Sequence, residues 1–157
     1  MDRIPITKEG YEKIKAELER LKKVERKEAI KAIEEARGHG DLSENAEYDA
    51  AKERQGMIEA KIAELESKMA RFEVIDTSKL KGNKVVFGAT VKIENLDTGE
   101  IKTYKIVGPD EADISKGHIS ILSPIARAMV GKKVGDEVIV NAPGGEMEYE
   151  ILEITFD

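Results

Sequence analysis

Apolar residues recur at helical spacing along the first half of the chain and by alternation along the second. Tyr11, Ile14, Leu18 and Leu21 follow in 3-4-3 steps, which puts them on one helix face. Thr7 stands where a cap is needed, with Glu9 favourable in the first turn. Beyond Leu21 the stripe loosens. Glu25 falls in register before the apolar line resumes at Ala29, Ile33 and Ala36. The extra four-residue step predicts a stutter, a local unwinding of the helix. Gly38-His39-Gly40 then stops it, since two glycines in three residues disfavour helix.

The second run is cleaner. Tyr48, Ala51, Gln55, Ile58, Ile62, Leu65, Met69 and Phe72 keep alternating steps of three and four, a heptad seam. Two striped helices joined by a short glycine turn predict an antiparallel coiled-coil hairpin with the turn at its tip. About thirty helical residues at 1.5 Å each give an arm on the order of 45 Å long. Such an arm buries little surface and suits reach or dimerisation.

After residue 76 the period changes to two. Val91 and Ile93 alternate, residues 95–100 supply turn chemistry, and Tyr104 and Ile106 continue a return strand. Ile119 and Ile121 read as another strand. Ser123-Pro124 starts a short helix, Ser as cap and Pro at the first helical position, running to about Val130 and stopping at Gly131. Residues 138–140 form a strand turned by Pro143-Gly144-Gly145. Met147, Tyr149 and Ile151 alternate in one phase and Leu152, Ile154 and Phe156 in the other, which predicts a β-bulge near Ile151. The expected class is α+β in two domains. Residues 1–76 form the helical hairpin, and residues 77–157 form a small sheet with a short helix.

Composition narrows the function. The chain has no cysteine, which excludes thiolate zinc sites, Fe–S clusters and cysteine catalysis. Its two histidines, His39 and His118, lie far apart, which disfavours a histidine zinc site. A net charge of −6 argues against gripping duplex DNA through phosphates alone. No apolar run approaches membrane-spanning length, and the N-terminus has no apolar signal region, so a cytoplasmic protein is expected.

Charge is uneven within the hairpin. Residues 3–31 carry ten basic and six acidic groups, whereas residues 34–49 carry six acidic groups and one arginine. The acids therefore concentrate at the tip. Asp41 and Glu44 are three apart before the second helix. Two readings of that spacing stand. They form an Asp version of a capping box, with Asp41 as cap and Glu44 at the third position. Alternatively they position a divalent cation. Mg²⁺ takes only one or two protein carboxylates and completes its shell with water and phosphate. Two acids on a tip make a poor site alone and a useful half-site beside another. Arg37 and Lys52 flank them and suit a phosphate backbone, or are ordinary solvated helix charges.

The tip, Gly40-Asp41-Leu42-Ser43-Glu44-Asn45-Ala46-Glu47-Tyr48 with Ala51-Lys52 and Gln55, strongly resembles that of the bacterial Gre transcript-cleavage factors. The likeness extends through Val86-Phe87-Gly88-Ala89-Thr90-Val91, Asp110-Glu111-Ala112-Asp113, Ser123-Pro124-Ile125-Ala126-Arg127 and Pro143-Gly144-Gly145, essentially the whole chain. The resemblance implies a monomeric factor, not itself an enzyme, with an FKBP-like second domain. It binds RNA polymerase and passes its coiled coil down the secondary channel to the 3′ end of backtracked nascent RNA.

By motif position, Asp41 and Glu44 are then the acids that position Mg²⁺ shared with the polymerase active centre, the chain having no cofactor of its own. Ser43 supports the tip by hydrogen bonding. Arg37 and Lys52 contact the extruded RNA. Ser123, Pro124 and Ile125 are candidates for docking on polymerase, or simply a helix cap and core. An FKBP-like fold does not carry prolyl isomerase activity with it, and the second half has only Phe87, Tyr104, Tyr149 and Phe156 as aromatics. One departure stands out. Many relatives have Arg-Pro midway along the first helix, where this chain has Arg26-Lys27. Neither the run at 110–113 nor His39 has a role legible from sequence.

Overall fold

In the computed structural model, which describes residues 2–38, 40 and 45–156, the striped first half is helical. Helix α1 (Lys8–Arg20) passes through a π-helical turn, Leu21–Glu25, into α2 (Arg26–Arg37), and α3 is Ala46–Arg71. Two compact units are present. One is Tyr11–Arg71; the other combines Asp2–Gly10 with the chain from Phe72 onward. The two-domain α+β class expected from the sequence is the one observed.

The π turn answers the expected stutter. Leu21 and Ala29, both buried, are eight residues apart. At about 100° per residue an unbroken α-helix would turn Ala29 roughly 80° away from Leu21. A π turn accommodates one extra residue, so the eight turn about as seven would, roughly 700°, nearly two full turns. The irregularity therefore keeps one face against α3. Leu21, Ala29, Ile58, Ile62 and Leu65 form the core there, with Ile14 and Leu18 packed on it. Each fully buried Leu or Ile contributes about 1.5–3 kcal/mol. The heptad seam ends one residue early. Phe72, expected on the helix, is buried as the first residue of a strand.

The second unit holds two sheets. Strands β3 (Thr90–Asn95), β4 (Ile101–Val107), β5 (His118–Ser120), β6 (Glu137–Ala142) and β7 (Gly145–Thr155) form one, in the order β5-β4-β3-β7-β6. Only β4 and β5 run parallel. The predicted phase slip is real: Lys92 pairs with Glu153 but Ile93 with Ile151, so Leu152 is the extra residue of a bulge. Helix α4 (Pro124–Met129) packs Ala126 and Met129 into the core beside Val91, Ile93, Ile106 and Ile151.

The smaller sheet was not legible in the sequence. Strand β1 (Ile4–Thr7) pairs in parallel with β2 (Phe72–Ile75), Ile4 opposite Phe72. Thr7 ends β1 and caps α1, its hydroxyl accepting the Gly10 N–H at 3.1 Å. The Thr7 hydroxyl and backbone N–H both donate to the Glu111 carboxylate, at 2.5 and 2.7 Å. This contact gives the 110–113 run a structural role. Glu111 anchors the first turn of α1, and Asp113 caps the short turn Ile114–Lys116 by accepting the Ser115 N–H and hydroxyl. Those bonds hold the Asp113 carboxyl below its usual range.

Candidate functional site

The end of the helical hairpin is built from α2 and α3. Helix α2 closes with Arg37, exposed, and Gly38, whose N–H donates to the Glu35 carbonyl at 3.1 Å. Helix α3 begins at Ala46, and its cap is Asn45. The Asn45 Oδ1 accepts the Tyr48 N–H at 3.1 Å, and its carbonyl accepts the Asp49 N–H at 3.1 Å. Helix α3 thus starts later than a capping box on Asp41 and Glu44 requires. Asn45 occupies the cap of α3, and side-chain capping serves the first N–H groups only. Asp41, Ser43, Glu44 and His39 lie outside the described residues.

The Asn45 side chain also reaches backward. Its Nδ2 donates to the Ala36 carbonyl at 2.7 Å, joining the last turn of α2 to the first of α3. Tyr48 follows one turn on, and the Lys52 ammonium stands over its ring, 5.5 Å from the centroid. That distance suits a cation–π contact. Lys52 is exposed, roughly 10 Å along α3 from Asn45 at 1.5 Å per residue. The structure thus brings one of the two predicted basic residues into a defined setting beside the tip.

Farther down the arm, charged pairs cross between the helices. Lys22 meets Glu66 at 2.7 Å, Arg26 meets Glu59 at 2.7 Å, and Arg54 reaches Glu25 and Glu28 at 3.1 and 3.4 Å. Arg20 joins Glu25 to Glu17. Hydrogen bonds from Arg54 and then Arg20 hold the Glu25 carboxyl below its usual range, and Arg26 does the same to Glu59. The partners move the other way, Arg20 chiefly through Glu17 and Arg26 through Glu59. Exposed pairs of this kind add little stability, and their alternation sets which residues face each other. Arg26 uses its guanidinium in this register.

In the second unit the Ser123 hydroxyl accepts the Ala126 N–H at 3.3 Å and donates to the Ser120 carbonyl at 2.7 Å, so it is committed to the cap. Ile125 packs partly against the core. Pro124 is exposed, and Leu122 beside it is 56% exposed. Among the described residues no group of three or more acidic or histidine side chains forms a metal cluster, and no helix is long and apolar enough to cross a membrane.

Asn45 and Glu111 were not singled out from the sequence. An asparagine just before a helix is a recognisable cap signal, but its second bond, to Ala36, has no local signature. Glu111 pairs with a residue 104 positions away, and nothing near either one announces it.

Comparison with known proteins adds the following. Residues 4–74 match the family described as transcription elongation factor, N-terminal, and residues 80–156 match transcription elongation factor, GreA/GreB, C-terminal. Transcription elongation factor GreA of Nitratidesulfovibrio vulgaris (strain Miyazaki F) is 58% identical over 157 residues, covering 100% of this chain and 98% of that protein. The GreA of Thermodesulfovibrio yellowstonii is 57% identical over 156 residues, covering 99% of each. Among solved structures, GreA factor homolog 1 of Thermus thermophilus is 30% identical, with a TM-score of 0.44 over 98% of this chain and 99% of that one.

Proposed function

Because this chain belongs to the GreA/GreB family of transcription elongation factors, we propose that it rescues backtracked RNA polymerase by stimulating cleavage of the transcript. The arm enters the secondary channel and brings Asp41 and Glu44 to the polymerase active centre, where the 3′ end of the nascent RNA lies. The chain is a monomeric cytoplasmic accessory. It completes another enzyme's site and cuts no RNA alone.

One observation carries this reading. Helix α3 is capped by Asn45, so neither tip acid is needed to cap it. Two carboxylates match the one or two that Mg²⁺ takes from protein, and they suit an ion whose other positions are filled by polymerase groups, water and phosphate oxygens. When bound there, Mg²⁺ makes water a better nucleophile and stabilises the leaving oxygen. Asp41 and Glu44 would hold the ion from this chain's side and would orient the attacking water by accepting its hydrogen bonds. Ser43 steadies them. Arg37 and Lys52 hold the extruded RNA through its phosphates; the Tyr48 ring under Lys52 keeps that ammonium near the tip. Docking falls to the segment holding Ser123, Pro124 and Ile125, with Pro124 and Leu122 presenting the exposed surface.

The test is 3′ cleavage in a stalled, backtracked bacterial elongation complex. Wild type should cleave rapidly. Asp41→Ala and Glu44→Ala should each lose at least about 100-fold, the scale of a displaced catalytic group, while still binding polymerase. Equal cleavage by wild type and the double variant would place the chemistry elsewhere. Wild type that binds and only inhibits elongation would make this chain a channel blocker.

A further inference from the structure

We propose that Asn45 is a positioning residue for this cleavage: its side-chain amide ties the end of α2 to the start of α3 and so fixes the two ends between which the tip acids are held. The inference rests on the reading of Asp41 and Glu44 given above and adds a residue to it.

A cap alone does not need asparagine. Asp, Ser and Thr accept a helix N–H about as well. What Asn45 adds is the other half of its amide. Nδ2 donates to the Ala36 carbonyl at 2.7 Å while Oδ1 accepts from Tyr48. The last four carbonyls of a helix lack partners within it, and Ala36 is in the last turn of α2. Asn45 is half-buried, so each bond it makes replaces water that is only partly available there.

Among short side chains only the amide carries both a donor and an acceptor in fixed relation. A carboxylate at 45 caps the helix but sets an oxygen against the Ala36 carbonyl. A serine caps but cannot span to α2. An added methylene, as in glutamine, moves the acceptor out of the cap. The amide's orientation is likewise decided, since a backbone N–H faces one end and a carbonyl the other.

The chain between Ala36 and Asn45 carries both acids. Around its two ends, Ala36 and Ala51 are buried, small and nonspecific, so they set how near the helices lie but not their axial offset. The Asn45 bridge adds a directional contact at that end, beyond the Arg54 pairs with Glu25 and Glu28. It also holds Tyr48, the residue beneath Lys52, through its N–H. Acids that must meet reacting atoms in another protein tolerate little error, because a misplacement near 1 Å costs about 100-fold in rate.

The experiment uses the full chain with Asn45→Ser and Asn45→Asp. Both keep the cap acceptor and lose the amide that reaches Ala36: aspartate has no donor, and the serine hydroxyl stays at the cap. Factor is titrated against backtracked elongation complexes, and maximal cleavage rate and half-saturating concentration are read separately. Both variants should lose roughly 10- to 100-fold in maximal rate, with unchanged half-saturating concentration and melting temperature. Asn45→Ala, which also loses the cap, should in addition melt earlier.

Full maximal rate in Asn45→Ser, alongside an inactive Asp41→Ala, would overturn the bridge and leave the acids' role standing. A change confined to half-saturating concentration would overturn it as well. Wild type that fails to cleave would sink the reading of the acids and the catalytic part of this proposal together. The bridge has its own readout in ¹⁵N spectra of the free protein. One Asn45 side-chain amide proton should exchange slowly with solvent. Two fast-exchanging protons contradict the bridge whatever the cleavage assay shows.

Discussion

At the scale of single residues, the start of α1 is held by buried polar contacts within the second unit. Thr7 is 2% exposed and gives both its N–H and its hydroxyl to Glu111. Truncating Glu111 to Ala leaves both donors unsatisfied and should cost about 2 kcal/mol, the scale of a hydrogen bond to a charged group, read from urea unfolding. Two glycines sit against the same contact. A Cβ at Gly108 would lie 2.0 Å from the Pro5 carbonyl oxygen, and one at Gly10 would lie 2.8 Å from the Glu111 carboxyl. Backbone cannot step aside, whereas a side-chain end can. Gly108→Ala should therefore destabilise by at least about 3 kcal/mol, at the top of the range for overpacking. Gly10→Ala should lose less, since alanine in a helix recovers roughly 0.5–1 kcal/mol. The reverse order in thermal melts would mean that the β1 backbone yields more readily than Glu111. Thr7 as a cap was legible from its place before the helical stripe. Its partner was not, because a pairing 104 residues apart leaves no mark in local composition.

At the scale of elements, the π turn and the crossing ion pairs both keep α2 in register with α3. Deleting Val24, 46% exposed within that turn, would make the Leu21-to-Ala29 interval seven residues, one heptad. The seam should survive, with stability changed by no more than about 1 kcal/mol, the scale of an exposed substitution. Deleting Ala32 instead would rotate Ile33 and Ala36 off the seam and should melt the arm, as circular dichroism would show. The ion pairs predict a pH effect. Hydrogen bonds from Arg54 and Arg20 hold the Glu25 carboxyl below the usual glutamate range. A carboxyl depressed in the folded state adds stability above its unfolded pKa and loses it as pH falls through the folded one. Arg54→Gln removes the leading cause, so its melting temperature should fall less than that of wild type between neutral pH and pH 3. Equal slopes would show that Glu25 gains nothing from Arg54. The stutter could be expected from the spacing of Leu21, Glu25 and Ala29. Its form as a π turn could not, since that depends on how far α3 holds the flanking turns in phase.

At the scale of the whole molecule, the chain starts in the second unit, runs out through the helical hairpin and returns at β2. Parallel strands need a long crossover, and here the crossover between β1 and β2 is the entire hairpin. Residues 77–157 alone therefore lack both strands of the small sheet, the fully buried Ile6 and the Thr7 partner of Glu111. Burial of an Ile contributes about 1.5–3 kcal/mol and the Glu111 bonds about 2 kcal/mol. A fragment of residues 77–157 should be less stable than the second unit within the full chain by several kcal/mol. Amide exchange at Val107 and Gly108 would report it. Equal protection in fragment and full chain would show that the small sheet contributes no stability there.

Local periodicity sufficed for much of this protein. The change from a 3.6-residue to a two-residue repeat separates the helical hairpin from the sheet. The phase slip after Ile151 marks the bulge, Ser123-Pro124 marks α4, and the acids gather where the glycines break the stripe. Each of these signals is carried by residues a few positions apart, and a sequence displays that range directly. The tertiary structure alone decided the rest: that Phe72 leaves the seam to pair with Ile4, that Glu111 closes on Thr7, that Arg26 is spent on Glu59, and that Asn45 bridges to Ala36. These are meetings of groups brought together by the packing of whole elements. Their energy comes from polar groups finding partners after apolar faces have set the distance, so no local pattern records them.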